Sequence, residues 1–353
     1  MASSLEKQAW EPVLIGRILP GSKPLSRSYK IIRKRLLFKK GPVFYACFNI
    51  RIFIHLMFIK ADLFVANDLD TLPGVWCASS LRRIPIVYDS HEYFTEVPEL
   101  VNRKIIKSIW KNIEKIIQPR LKNVITVNES IATIFREEYH QDVTVISNLP
   151  IINHSEAIMG HLPAGFNERP IIIYQGAVNI GRGIEELVFA MHHLLDFNLL
   201  IVGDGDKLSE IMLLVKKENL ADRVYFTGRV SFDSLAWYTK QAVLGISLEQ
   251  DMGLNYKLAL PNKLFDYMNA GIPVLASNLP EISRVVKDTG FGILISDFSP
   301  ESIAGGIRKI YNNKALYQEL KRNAIQGVSR YSWEGQEELL IRHYHKALGI
   351  MTD

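Results

Sequence analysis

Short runs of Ile, Val and Leu alternate along the chain with longer stretches whose apolar residues recur at helical spacing. A short run that is apolar on both sides suits a strand covered by helices on both faces, so the pattern predicts buried parallel strands separated by helices. Strands are expected at 13–16, 63–66, 85–88, 123–127 and 143–146, and again at 171–175, 199–202, 224–227, 243–248, 273–277 and 292–295. Each half reads as a doubly wound layer, and the expected fold class is α/β with two Rossmann-like domains. The first spans 1–148 and the second 170–330, with 149–169, broken by Pro and Gly, as the linker between them. A last helix is expected within 331–353, running from about Tyr331 through His345.

Composition supports two cores, since 353 residues with 48% apolar side chains exceed what one core usually holds. Cys47 and Cys77 are the only cysteines, which argues against a disulfide framework. The pairs His192-His193 and His343-x-His345 lack nearby ligands at metal spacing and read as solvated helix residues. The start, Met-Ala-Ser-Ser-Leu-Glu-Lys-Gln, is polar and helical, unlike a secretion signal. No internal repeat or low-complexity tract is evident.

The chemistry concentrates in Leu260-Pro-Asn-Lys-Leu-Phe-Asp-Tyr-Met-Asn-Ala-Gly-Ile-Pro-Val-Leu-Ala-Ser277, read as a loop, a short helix stopped by Gly271, and a buried strand after Pro273. Asn262 and Lys263 stand at the helix start, where free N–H groups and the positive dipole end favour an anion, and Asp266 lies one turn further in. An anion beside a diol suits that corner, and a nucleotide diphosphate sugar carries both.

This string, Pro-Asn-Lys-Leu-Phe-Asp-Tyr-Met followed by Ala-Gly-Ile-Pro-Val, resembles the donor-site signature of the retaining glycosyltransferases of family 4, which have the two-domain GT-B fold. The resemblance covers nearly the whole chain. It implies two Rossmann-like domains facing a cleft, a last helix that crosses back to the first domain, a nucleotide-sugar donor as co-substrate, and no metal. Asp266 stands where the family usually has the glutamate that holds the ribose. The family's second glutamate, eight positions upstream, is matched by Leu258, and Glu249 is a candidate substitute. Family members open with a strand and turn before the segment matched by Trp10–Gly16, so the resemblance implies an N-terminally shortened member whose first domain lacks one strand.

Other loops after strands fit the same resemblance. In Tyr174-Gln-Gly176-Ala-Val-Asn-Ile-Gly-Arg182-Gly183, Gly176 lets backbone approach phosphate, and Arg182 keeps the charge found near the family's helix start, while Ala177 replaces an arginine. Leu200–Gly205 and Val224–Val230 match two further turns, the second placing Gly228 near the base. His91, after the strand ending Ile-Val-Tyr-Asp-Ser, corresponds to a histidine beside the donor sugar, with positioning or hydrogen bonding as its expected catalytic role. Asn67-Asp68-Leu69-Asp70 contains the Asp-x-Asp pattern of metal sites in the GT-A fold; in this company Asn67 and Asp68 read as lining the acceptor side, or Asp68 as capping the next helix.

Charge is segregated. Residues 12–61 hold eleven Lys or Arg and no Asp or Glu, beside the apolar runs Val43–Phe48 and Ile52–Ile59, and more cations follow at Arg103, Lys104, Lys107, Lys111 and Lys115. Cationic surface next to bulky apolar residues predicts docking of segment 23–60 on an anionic membrane. With Arg51 at its centre, the apolar run is too short and too charged to span a bilayer comfortably. A core helix with a basic face elsewhere is the alternative. No nucleic-acid motif accompanies the pI near 9.0. The expected protein is cytoplasmic, peripheral at the cytosolic membrane face, and transfers a sugar to a glycan or lipid-linked acceptor in cell-surface glycan synthesis. A GT-B sugar-nucleotide epimerase and a catalytically silent binding subunit are the rival readings, the latter motivated by Leu258, Ala177 and the first strand that the resemblance implies is missing.

Overall fold

The computed structural model describes residues 1–350 except 19–21, 23, 37, 39–40, 98–99, 101–102 and 152–157. The chain divides into two compact units, one of residues 1–147 with 336–353 and one of 148–335.

Unit 1 carries β1 (Val13–Arg17), β2 (Lys30–Lys34), β3 (Phe64–Asn67), β4 (Ile86–Ser90), β5 (Asn123–Thr126) and β6 (Val143–Val145). Its helices are α1 (Ala2–Lys7), α2 (Gly41–Phe58), α3 (Leu72–Arg82), α4 (Lys104–Ile117) and α5 (Glu129–Tyr139). A four-stranded parallel sheet runs β3-β4-β5-β6, and β1 and β2 form a separate parallel pair. Among the described residues β1 bonds only to β2, and β3 only to β4. β2 was not expected: Lys-Ile-Ile-Arg-Lys has two apolar residues between charges, so no run announces it, yet both isoleucines are half-buried. The α2 helix lies close against α3, where a side chain at Gly74 would meet the Asn49 carbonyl, and the Asn49 amide donates to the carbonyls of Tyr45 and Asp70.

Unit 2 is built on one parallel sheet of β7 (Ile171–Gln175), β8 (Asn198–Val202), β9 (Val224–Gly228), β10 (Leu244–Ser247), β11 (Val274–Ser277) and β12 (Gly292–Ile295), in the order β12-β11-β10-β7-β8-β9. Its helices are α6 (Ile184–Ala190), α7 (Leu208–Lys217), α8 (Phe232–Lys240), α9 (Leu254–Lys257), α10 (Lys263–Ala270), α11 (Pro280–Thr289), α12 (Pro300–Asn312) and α13 (Lys314–Gly327). Successive residues of a strand face opposite sides, so β7 supplies both cores. Ile172 and Tyr174 join Leu187, Leu199, Ile246 and Ile307 on one face. Ile171 and Ile173 join Leu200, Phe265, Val274 and Ile282 on the other. Leu149 and Phe166, in the stretch expected as a linker, are buried in that second core.

One contact decides where α10 rests. Tyr267 is fully buried over Gly245 of β10, where an added Cβ would lie 2.4 Å from its ring, and its hydroxyl donates to the carbonyls of Ile246 and Ile173 at 3.0 and 3.3 Å. The helix is thereby pinned across β10 and β7, the pair at which the strand order reverses. Gly271, in the left-handed region, closes it as expected.

The last helix, α14 (Trp333–Leu348), belongs to unit 1 from Gln336 onward. There His343 meets the Thr144 hydroxyl at 2.9 Å, and Tyr344 packs edge-on to Trp10. His343 was expected to be solvated but is buried, and burial lowers its pKa to about 4. A two-residue His spacing carries no information about which helix face is covered.

Candidate functional site

In open α/β sheets ligands bind beyond the carboxyl ends of the strands at the switch point, here between β7 and β10. The loop after β7 begins at Gly176, whose N–H donates to the Val202 carbonyl at 2.9 Å. Gly203, after β8, has φ +148°, and a Cβ there would lie 1.9 Å from the Gly176 oxygen, so the two loops touch backbone to backbone. Gly228 ends β9 with φ +66° and open space around its Cα. Arg182 lies between two left-handed glycines, Gly181 and Gly183, and its guanidinium stacks over Tyr256 at 5.2 Å.

Four predicted residues of this unit converge. Lys263 is 7% exposed, its Nζ 3.9 Å above the Tyr174 ring and 2.9 Å from Glu249 Oε1. The Arg182 guanidinium lies 3.6 Å from the same Glu249 oxygen. The lysine approach is an ion pair without aligned hydrogen-bond geometry, so Lys263 Nζ and Glu249 Oε1 are both left without a hydrogen-bond partner. Gly176 adjoins the same lysine, the position of its missing Cβ being 3.7 Å from Lys263 Cε.

Glu249 corrects an expectation. It was a candidate donor contact in place of Leu258, but it is 0% exposed, and its other oxygen accepts from the Ser247 hydroxyl at 2.6 Å. Burial opposes its ionisation, yet Lys263, Ser247 and Arg182 outweigh that cost and hold its carboxyl below the ordinary value. Glu249 acts by holding two cations near one another, and the trio retains one positive charge. Leu258 itself is a buried aliphatic side chain.

Asp266, one turn along α10 from Lys263, accepts from Gln175 Nε2 at 2.6 Å, and the Gln175 oxygen accepts from the Thr239 hydroxyl at 2.8 Å. Burial raises the Asp266 pKa to about 6, against the lowering effect of Gln175. Asn262 is exposed at the N-cap and makes no side-chain cap. The N–H groups expected to be free there are partly used: Leu264 donates to Pro261, and Phe265 and Asp266 donate to the Asn262 carbonyl. Sequence reasoning missed Gln175, Tyr174, Thr239 and Ser247; only the ends of β7 and β10 pointed toward the first two and the last.

In unit 1 the loops after β3 and β4 are stitched together. Asp68, left-handed at φ +58°, donates its N–H to the Asp89 carbonyl at 2.9 Å and accepts the His91 N–H on Oδ1 at 2.8 Å. It does not cap α3, whose N-cap position is Thr71. The His91 ring Nε2 is 3.2 Å from Oδ2 of buried Asp89, and that hydrogen bond raises its pKa above the ordinary histidine value. Asn67 is exposed at the end of β3. Burial raises Asp68, and raises Asp70 to about 6. Among the described residues no group of three His, Cys, Asp or Glu could hold a metal ion.

Residues 163–327 match the glycosyl transferases group 1 family. An uncharacterized glycosyltransferase of Methanocaldococcus jannaschii is 26% identical over 191 residues, covering 52% of this chain and 47% of that one, so the match spans about half the relative's length. A GDP-mannose:cellobiosyl-diphosphopolyprenol alpha-mannosyltransferase of Xanthomonas oryzae pv. oryzae is 22% identical over 275 residues, 75% of this chain and 69% of that one. Among solved structures, sucrose-phosphate synthase from Thermosynechococcus elongatus superposes with TM-score 0.78 at 19% identity, over 99% of this chain and 92% of that one. The segment that holds the switch-point site is thus similar to the glycosyl transferases group 1 family, and the chain, with its two Rossmann-like units, has the GT-B fold.

Proposed function

We propose that the protein transfers a glycosyl group from a nucleoside-diphosphate sugar to a hydroxyl acceptor, with retention at the anomeric carbon and without a divalent metal. The observation that carries this reading is Lys263: a buried ammonium that shares the single carboxylate of Glu249 with Arg182, at the switch point of a parallel sheet. A diphosphate balances the positive charge that one carboxylate leaves over, and the cations stabilise charge as the bond from the anomeric carbon to the phosphate oxygen breaks. The acceptor oxygen forms the new bond, and its proton passes to the departing diphosphate. Asp266 is assigned to the ribose hydroxyls, Gly176 to close backbone approach, Gly228 to the base, and Asn262 to the mouth of the site. His91, held by Asp89, is assigned to orienting the sugar, and Asn67 with Asp68 to the acceptor side.

The Xanthomonas relative acts, by its name, on a sugar chain carried on diphosphopolyprenol. A glycan or lipid-linked acceptor of that kind is the class proposed here, in cell-surface glycan synthesis. A silent binding subunit is the second reading, favoured by the aliphatic Leu258 where the resemblance places a carboxylate.

Calorimetric titration with UDP- and GDP-sugars tests the site. Lys263→Ala is expected to weaken donor binding by about ten- to a hundredfold, the cost of one charge-assisted contact of about 1.5–3 kcal/mol, while Asp68→Ala leaves it unchanged. Equal affinity of the Lys263 variant and the parent removes the assignment. Chromatography of the same mixtures separates the two readings, since a transferase slowly hydrolyses its donor and a silent subunit releases it intact.

A further inference from the structure

The apolar and basic segment picked out in the sequence is only partly a surface. Phe44, Ile52 and Leu56 of α2 are buried, and Lys39-Lys40 lie outside the described residues. The remaining face of α2 is exposed: Val43, Ile50 and Ile54 are each more than half exposed, and Phe58 is 85% exposed. At about 100° per residue these four fall on one side of the helix. By length and composition α2 could cross a membrane. Its attachment along α3 through Asn49, Gly74 and the buried side chains makes it instead a helix fixed to the protein with one face bare.

A second helix, which the sequence reading credited only with lysines, extends this surface. α4 turns Trp110, Glu114 and Ile117 inward. Buried Glu114 accepts from Lys111 at 2.8 Å and from the Tyr139 hydroxyl at 2.9 Å, which fixes the rotation of the helix. That rotation leaves Ile105 79% exposed and Ile109 and Ile116 more than half exposed, all within about 40° of one another around the axis. Lys104 and Lys115, exposed and in no ion pair among the described residues, border this ridge on one side. The two helices are neighbours, since Tyr45 of α2 packs edge-on to Trp110 of α4 at 5.1 Å.

We propose that the isoleucine ridge of α4, with the bare face of α2, docks the protein on an anionic lipid bilayer. Apolar side chains enter the acyl boundary while the flanking cations meet lipid phosphates. Charge complementarity selects this occupant. From Leu100 to Lys122 there are seven Lys or Arg, and the single acid, Glu114, is buried. The proposal stands independently of the donor site in unit 2.

Flotation of the full chain with vesicles tests it. The parent is expected to float with phosphatidylcholine vesicles containing 30% phosphatidylglycerol and not with phosphatidylcholine alone, and to be released as salt is raised. Ile105→Glu with Ile109→Glu, and separately Ile50→Glu with Ile54→Glu, should abolish flotation, while Lys104→Glu with Lys115→Glu should weaken it about tenfold or more. Circular dichroism melts and donor titration show that the variants fold and that unit 2 is intact. Flotation of both isoleucine variants like the parent, equal binding to neutral vesicles, or sedimentation of the parent as a dimer that the Ile105/Ile109 variant dissociates would each overturn the proposal.

Discussion

Asp266, assigned to the ribose hydroxyls in the proposed function, carries a cost in stability. Its pKa, raised by burial to about 6, means that the folded state holds its proton more tightly than the unfolded state does. The sign follows: Asp266 contributes stability below its unfolded pKa, and that contribution is lost as pH rises through about 6. At neutral pH the folded protein therefore keeps a carboxylate that burial disfavours, with Gln175 as its hydrogen-bond donor. Asp266→Asn is expected to raise the melting temperature at pH 7 and to weaken nucleotide binding. For the parent, nucleotide affinity should fall as pH drops below about 6, because the protonated acid accepts less well from ribose hydroxyls. Titration calorimetry between pH 5 and 8 checks this; a flat profile would remove Asp266 from the contact. Glu249 shows the opposite balance, being ionised despite complete burial because two cations and a serine hydroxyl surround it. The residue types at 249 and 266 were legible in the sequence. Their burial was not, because burial depends on what folds over them.

At the scale of elements, the placement of α10 depends on a small residue in a strand beneath it. Gly245→Ala would put a methyl group into the Tyr267 ring, and overpacking of this kind costs about 1–3 kcal/mol. Because Tyr267 and Lys263 share α10, the shift should weaken donor binding as well as lower the melting temperature, by roughly 2–4 °C per kcal/mol for a domain of this size. Unchanged affinity in a destabilised Gly245→Ala protein would show that α10 is held by its other contacts. Eleven of the twelve strands were readable, because fully buried parallel strands need unbroken apolar runs. β2, charged at both ends and only half-buried, had no such run. The helical periodicity of α4 was equally visible, but it does not tell which part of a wide apolar arc the protein itself covers. The inward turn of Trp110 and Glu114 decided that.

Across the whole molecule, the two ends of the chain belong to the same unit, where Lys7 of α1 pairs with Glu337 of α14 at 3.0 Å and Trp10 packs on Tyr344. His343 gives this arrangement a pH dependence. Its pKa of about 4 lies below that of an unfolded histidine, so the unfolded state gains a proton first, and stability is lost as pH falls from about 6.5 toward 4. Thermal melts at pH 7 and pH 5 should show a drop for the parent that is smaller for His343→Gln; equal drops would assign the acid sensitivity elsewhere. By itself the sequence determined the α/β class, the two runs of buried strands and the positions of the charged groups, because these follow from local periodicity and from residue type. Only the tertiary structure decided that Lys263 and Arg182 meet at Glu249, that Gln175 orients Asp266, and that the isoleucines of α4 face outward. Each of these joins elements distant in the chain, and long-range packing, which no local pattern encodes, sets which groups lose water and which neighbours replace it.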